Sequence, residues 1–291
     1  MAVAYDELCG SIGGGVMEVN LVDQARALLS VPPAAAGGLG KDSDLAAAVT
    51  QQIHRKGEEN SSGMICSGRQ TVIFRLLAPE NAVTIDAILD SLEKKRPDIL
   101  TITAGELSVT PARGDSADFT FEVRSDTDFI FTERLGPKNE LFIVGGGHCA
   151  LALSELMSKM DFYIRLFDDR PELNTVSKNT FVQEKHLIES YDRIAEMIHG
   201  GPNTYVVVMT VGFASDEVVI RRLLNKDLKY FGVLGSRAKM AQLMRNLKSE
   251  GCPQEKLDRI RTPVGLPINS QTPEEIAVSI AAEIISVKNT K

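Results

Sequence analysis

Three consecutive glycines, Gly145, Gly146 and Gly147, follow an apolar run and precede His148, Cys149 and Ala150. The spacing Gly145-x-Gly147-x-x-Ala150 is the G-x-G-x-x-G/A form of a dinucleotide-binding turn. Gly145 suits the tight turn, Gly147 lets the main chain approach a phosphate, and Ala150 permits close helix–strand packing. A helix opening there presents unsatisfied N–H groups and a positive dipole end to an anion. Asp168 and Asp169 stand at the end of the next apolar run, about 20 residues on, where the fingerprint places its acid. Asp168 suits a ribose hydroxyl and equally a solvent-facing turn. Arg170 beside it would attract a 2′-phosphate, so the nicotinamide form stays open. His148, at the mouth of the turn, is either a donor to a phosphate or a partly exposed helix-start residue. A turn kept for packing alone satisfies the same spacing.

Ligands in open α/β sheets sit beyond the carboxyl ends of the strands. That rule brings Thr210 to Asp216 and the Gly235-Ser236-Arg237 triplet to the same crevice. The planar fork of Arg237 suits a phosphate, although an arginine opening a helix is as often simply solvated. Catalytic signatures are missing: the chain has no H-E-x-x-H, G-x-S-x-G or Walker A segment. Its four histidines, His54, His148, His186 and His199, form no acid–base constellation with a lysine or tyrosine in the sequence.

Two kinds of pattern must position these residues. In the first part, Gly13, Gly14 and Gly15 permit an unusual backbone path. Met17, Leu21, Ala25 and Leu28 then recur at helical spacing until Pro32 and Pro33. The stretch LAAAVTQQIHRKG fits strand or helix, and TVIFRLLAP reads as a strand. The segment TIDAILDSLEKKRP predicts an amphipathic helix with Ile85, Ile88, Leu89 and Leu92 on one face and Pro97 beyond its end. Short β-like runs fill Ile99 to Arg134, so this part is α+β. The polar Gly-Pro stretch RLGPKNE marks the boundary between a smaller domain, 1–137, and a second, 138–291. Beyond it, strands and helices alternate, which predicts a Rossmann-like, doubly wound parallel sheet of the α/β class. Its last helix opens with Thr272 as N-cap, Pro273 at the first position and Glu275 closing a capping box.

The 291 residues are 43% hydrophobic and 24% charged, as expected of a globular chain with a real core. A net charge of −7 does not favour nucleic acid or anionic lipid overall, and neither is expected as a partner, although net charge leaves a local basic patch open. The first residues lack the apolar core of a secretory signal, and no apolar run approaches the ~18 residues of a membrane span. The expectation is a cytoplasmic protein with reduced thiols. The four cysteines, Cys9, Cys66, Cys149 and Cys252, form no C-x-x-C pair. Cys66 lies among small residues with Arg69 nearby to favour its thiolate, whereas free cysteine is on composition a core residue.

Six stretches together resemble the xanthine dehydrogenase accessory protein family, of the XdhC/CoxI type. They are LFIVGGGHCALAL, FDDR, YFGVLGSRAK, RIRTPVGLPINSQTPEEIAVSIAAEII, GSIGGGVMEVNLVDQA and GMICSG. The resemblance implies a chaperone that binds molybdopterin, the organic part of the molybdenum cofactor. It also implies that the chaperone helps insert the cofactor into a xanthine dehydrogenase-type apo-enzyme. A cysteine desulfurase and a second copy of the chain are further expected partners. The family's glycine turn and glutamate fall on Gly13, Gly14, Gly15 and Glu18, and its Cys-Gly-Gly motif on Cys66-Ser67-Gly68. Cofactor contacts are also expected at Gly145, Gly146, Gly147, His148, Ala150, Asp168, Asp169, Gly235, Ser236 and Arg237. A thiolate is a soft ligand suited to a sulfur-rich molybdenum cofactor. Two departures stand out. Family members carry a segment before the first glycine turn, whereas eleven residues precede Ile12 here, so the first domain is expected to be incomplete, to be completed by a partner, or to begin upstream of Met1. The family's T-H-x-H-x-x-D segment is Thr210-Val211-Gly212-Phe213-Ala214-Ser215-Asp216, without either histidine. The alternative is an NAD(P)-dependent oxidoreductase, resting on the glycine fingerprint alone.

Overall fold

The computed structural model describes residues 1–30, 47–53, 69–112, 117–125 and 127–290. The chain divides into two compact units, Met1–Gly136 and Pro137–Lys291.

The first unit opens with a two-stranded antiparallel pair, β1 (Ala2–Val3) and β2 (Leu8–Cys9), and helix α1 (Gly15–Ser30). Strands β3 (Ala47–Ile53) and β4 (Arg69–Arg75) form an antiparallel pair, so LAAAVTQQIHRKG contributes a strand. Helix α2 (Ala82–Glu93) precedes β5 (Asp98–Thr103), β6 (Leu107–Pro111), β7 (Phe119–Ser125) and β8 (Asp128–Arg134). These four strands make an antiparallel sheet of order β6-β5-β8-β7. Helix α2 forms as expected, and its burial falls beside its apolar stripe. Leu89 and Leu92 are exposed, whereas Ser91 is buried and its Oγ donates to Asp98 Oδ2 at 2.6 Å. Thr84 Oγ1 donates to the carbonyl of Leu107 at 3.4 Å. Positions 84, 88 and 91 therefore line the inward side, one step around the helix from the apolar stripe.

The second unit is the doubly wound sheet that the alternating pattern predicts. Its strands are β9 (Asn139–Val144), β10 (Phe162–Asp168), β11 (Glu184–Leu187), β12 (Gly201–Val208), β13 (Leu228–Val233) and β14 (Ile260–Arg261). All pair in parallel, in the order β11-β10-β9-β12-β13-β14. The order reverses direction between β9 and β12, the switch point at which such sheets open a crevice. Helices α3 (His148–Ser158), α6 (Phe213–Leu223), α7 (Arg237–Ser249) and α9 (Pro273–Lys288) cover the two faces, with short helices α4 (Asn174–Lys178), α5 (Ile194–Met197) and α8 (Gln254–Leu257) between.

Strand alternation feeds two cores. Leu141 and Ile143 of β9 pack with Leu153, Met157 and, from α9, Ile280 and Ile284. Phe142 and Val144 face the other way, onto Val219, Leu223, Leu243 and Leu247 of α6 and α7. A strand buried on both faces carries an unbroken apolar run for this reason. The Thr272 capping box forms as expected: Thr272 Oγ1 accepts the Glu275 N–H at 3.2 Å, and Glu275 accepts the Thr272 N–H at 3.2 Å. Among the described residues, no helix is long and apolar enough to cross a membrane.

Candidate functional site

The glycine turn lies where β9 hands over to α3. Gly145 has φ +106°, and a Cβ built on it would lie 2.4 Å from the carbonyl oxygen of Met209. Only glycine lets the turn pack this closely against the end of β12. A Cβ on Gly146 would meet Val176 at 2.3 Å and Asp168 Oδ2 at 3.2 Å, so that flank is filled. Thr175 Oγ1 donates to the Gly146 carbonyl, tying α4 to the turn. The other flank is open. Nothing lies within 4 Å of a Cβ on Gly147, the N-cap of α3. Among the described residues, no hydrogen bond takes the amide N–H groups of Gly147, His148 and Ala150. His148 is the exposed first residue of the helix, and Ala150 is fully buried against the sheet.

The acids of the fingerprint behave differently from their expectation. Asp168 is neither a solvent-facing turn residue nor open to a ribose, being 2% exposed with its hydrogen-bonding capacity filled. Its Oδ2 accepts the Gly146 N–H at 2.6 Å and Arg170 Nη2 at 2.7 Å; its Oδ1 accepts Arg170 Nε at 2.8 Å and the Arg170 N–H at 2.9 Å. Burial pushes this carboxyl up, but the Arg170 and Gly146 donors outweigh it and hold it below the usual carboxylate range. Arg170 is thus committed to Asp168 rather than held out to a 2′-phosphate. Asp169 is half-exposed and accepts the Tyr191 hydroxyl at 3.3 Å. Burial, then the charges of Asp168 and Asp169, push the Tyr191 phenol well up.

Two further strand ends border the crevice. Asp216 is fully buried; its Oδ1 accepts the Thr210 hydroxyl at 2.6 Å and the Thr210 N–H at 3.2 Å. Its Oδ2 pairs with Lys239 Nζ at 3.0 Å. The Thr and Asp retained in the TVGFASD segment therefore brace the end of β12 against the first turn of α7. The braced Thr210 is also the residue whose amide lies beside Gly145. At the end of β13, Gly235 packs under Met240, where a Cβ would lie 2.6 Å from the methionine methyl. Ser236 caps α7 by accepting the Lys239 N–H at 3.3 Å, and Arg237 is exposed at its first position. Lys239, Thr175 and Tyr191 are beyond what the sequence motifs indicate. Only Lys239 carries a sequence signal, a cation two residues beyond Arg237 in the same helical turn.

Cys149 is half-buried in the core beside α3, and burial, followed by Glu274, pushes its thiol up. It stays a packing residue, since the nucleophile and metal ligand is the thiolate.

The first unit carries its own glycine turn. Gly13, Gly14 and Gly15 all have positive φ, at 125°, 73° and 76°. Glu18 Oε2 accepts the Ser11 hydroxyl at 2.6 Å, the Ile12 N–H at 2.7 Å and the Gly14 N–H at 3.2 Å. The carboxylate thus closes the anion-seeking turn from within and caps α1. Cys66, with Ser67 and Gly68, lies outside the described residues.

Residues 141–284 match the XdhC Rossmann domain. The chain is 30% identical over 163 residues to a Bacillus subtilis protein named as a probable xanthine dehydrogenase subunit, covering 56% of this chain and 47% of that one. It is 29% identical over 162 residues to the protein YqeB of Escherichia coli, covering 55% of this chain and 29% of that one. It spans less than half the length of either of these relatives. The crystal structure of a xanthine dehydrogenase from Bacillus halodurans superposes with a TM-score of 0.64 at 23% identity, covering 97% of this chain and 84% of that one. At that identity the likeness speaks for the fold. The glycine turn, its buried acid and the braced strand ends thus sit in the stretch, residues 141–284, that matches the XdhC Rossmann domain.

Proposed function

We propose that this protein binds a molybdopterin-type cofactor through its phosphate and hands it to a xanthine dehydrogenase-type molybdenum hydroxylase during that enzyme's maturation. The observation that carries the binding step is the open flank of the glycine turn. Gly147 has free space before it, and the first amides of α3 have no acceptor among the described residues. A phosphate there gains main-chain hydrogen bonds and the positive end of the helix dipole. Gly145 and Thr210 shape the turn, Ala150 sets the helix against the sheet, and His148 is at hand on the exposed side. The client assignment rests on kinship, since the Bacillus subtilis relative is named as a probable subunit of xanthine dehydrogenase. A cysteine desulfurase fits the same role, as the source of the sulfur that such a cofactor receives while it is held.

The saturated Asp168 weighs against an NAD(P)-dependent oxidoreductase, since a ribose diol would have to displace Arg170 from it. The decisive experiment is to incubate the purified chain with excess molybdopterin, remove free ligand and assay the bound pterin by its fluorescence. Retention by the wild type and loss with Gly147→Asp supports the reading. No retention by the wild type, or retention unchanged in Gly147→Asp, overturns it. Tight binding of reduced nicotinamide dinucleotide with turnover of an alcohol would put the oxidoreductase in its place.

A further inference from the structure

In a dinucleotide site of this fold the pyrophosphate lies on the helix N-terminus, and the acid ending the next strand takes the ribose hydroxyls. The nucleoside half therefore runs from the Gly147 side of the turn, past Gly146, to the carboxylate of Asp168. Here that path is filled by protein. The Gly146 N–H donates to Asp168 Oδ2 at 2.6 Å, and the Gly146 carbonyl accepts the Thr175 hydroxyl. Beside its Cα stands Val176, whose Cγ2 lies 2.3 Å from where a Cβ would be, with Leu173 Cδ2 at 3.5 Å. Asp168, 2% exposed, has both oxygens on Arg170.

Leu173, Thr175 and Val176 belong to α4 and its N-cap, and this short helix is fastened on both sides. Buried Thr175 holds it to the turn. Just beyond its end, fully buried Asn179 donates from Nδ2 to Ser154 Oγ at 2.9 Å, and Ser154 in turn donates to the Ala150 carbonyl at 2.7 Å. Asn179 Oδ1 also accepts the Phe181 N–H at 3.2 Å. Val176 packs against the core cluster that α3 and α9 share. Moving α4 aside would strand these buried donors and acceptors, and an unsatisfied buried polar group costs about 1–3 kcal/mol. The closed flank is therefore fixed, and the Gly147 flank is the one left open.

We propose that α4 makes the glycine turn selective for a terminal phosphate: the site admits a phosphomonoester and rejects a ligand whose phosphate continues through a pyrophosphate into a nucleoside. Val176 and Arg170 set that preference. Val176 occupies the path of the nucleoside, and Arg170 holds the oxygens that a ribose would need. Discrimination of this kind comes from an obstacle to the wrong ligand rather than from an added contact with the right one. The selector deepens the cofactor reading and rests on it, since it takes Gly147 as the phosphate seat.

The test is anaerobic equilibrium dialysis of the full chain against molybdopterin, and against the same pterin extended by cytidine monophosphate through a pyrophosphate. Bound pterin is assayed by its fluorescence. The expected dissociation constant is at least about tenfold lower for the phosphomonoester. In Val176→Ala combined with Arg170→Ala, which removes the obstructing methyls and frees Asp168, that ratio should fall to about threefold or less. A thermal melt checks that the variant is folded, and the wild-type ratio tests the proposal without it. Equal or tighter binding of the extended form by the wild type overturns the selector and leaves the phosphate seat standing. Binding of neither form overturns the seat and the selector together. A folded variant that keeps the wild-type ratio overturns the assignment to Val176 and Arg170.

Discussion

The carboxylate of Asp168 accepts the Gly146 N–H at 2.6 Å while both its oxygens grip Arg170. The middle glycine of the turn is thereby tied to the end of the neighbouring strand. Asp168→Asn exchanges one acceptor for a donor that faces either an amide N–H or a guanidinium. It should lower the unfolding free energy by about 3 kcal/mol, the scale of breaking a buried ion pair, read from the urea midpoint.

The same group predicts a pH dependence. Burial pushes the Asp168 carboxyl up, yet the Arg170 and Gly146 donors leave it lowered in the folded state. A depressed folded value means that its stabilisation is complete above the unfolded value of about 3.9 and is lost as pH falls through the folded one. Acid titration of stability should therefore be flatter in Asp168→Asn than in the wild type, as followed by circular dichroism.

Two glycines of one turn should respond to very different degrees. Gly145→Ala places a methyl 2.4 Å from the Met209 carbonyl oxygen at φ +106° and should cost about 3 kcal/mol or more. Gly147→Ala meets nothing within 4 Å and should cost no more than about 1 kcal/mol, the scale of placing alanine at a helix N-cap. Thermal melts of the two variants check this directly. If the turn seats a phosphate, Gly147→Asp should melt with the wild type while failing to retain the pterin.

Lys239→Met leaves the fully buried Asp216 with Thr210 as its only remaining partner among the described residues. A loss of about 3 kcal/mol is expected, and adding Asp216→Asn should recover part of it, because the stranded charge is then gone. A double-mutant cycle by urea unfolding measures the coupling.

In the first unit, Glu18→Ala should free the Ile12 and Gly14 amides, with hydrogen exchange at both faster than in the wild type. The Ser11 hydroxyl, then the Ile12 and Gly14 amides, hold the Glu18 carboxyl below the usual range. In the wild type the protection should therefore persist through mildly acidic pH. It should disappear only as pH falls through that lowered value.

Local patterns are legible wherever neighbours in the chain are also neighbours in space. Gly145, Gly147 and Ala150 announce a strand-to-helix turn, and Thr272 with Glu275 announces a helix start, because each motif closes within a few residues. The apolar run of β9 and the alternation after it are enough for a parallel sheet, since strands and helices have fixed periods. The periodicity of α2 shows which residues share a face, but not which face has a neighbour: Leu89 and Leu92 belong to its apolar stripe and are exposed. Asp168 can be put near a ligand by its spacing. That Gly146, 22 residues earlier, and Arg170 would exhaust its oxygens depends on where the turn and the strand end come together. Lys239 reaches Asp216 across 23 residues for the same reason. By itself, the sequence determined the order of elements and the presence of a glycine turn before a helix, because these follow from spacing and local backbone sterics. Only the tertiary structure decided which flank of that turn is open, because a buried carboxylate takes whichever donors long-range packing brings within reach.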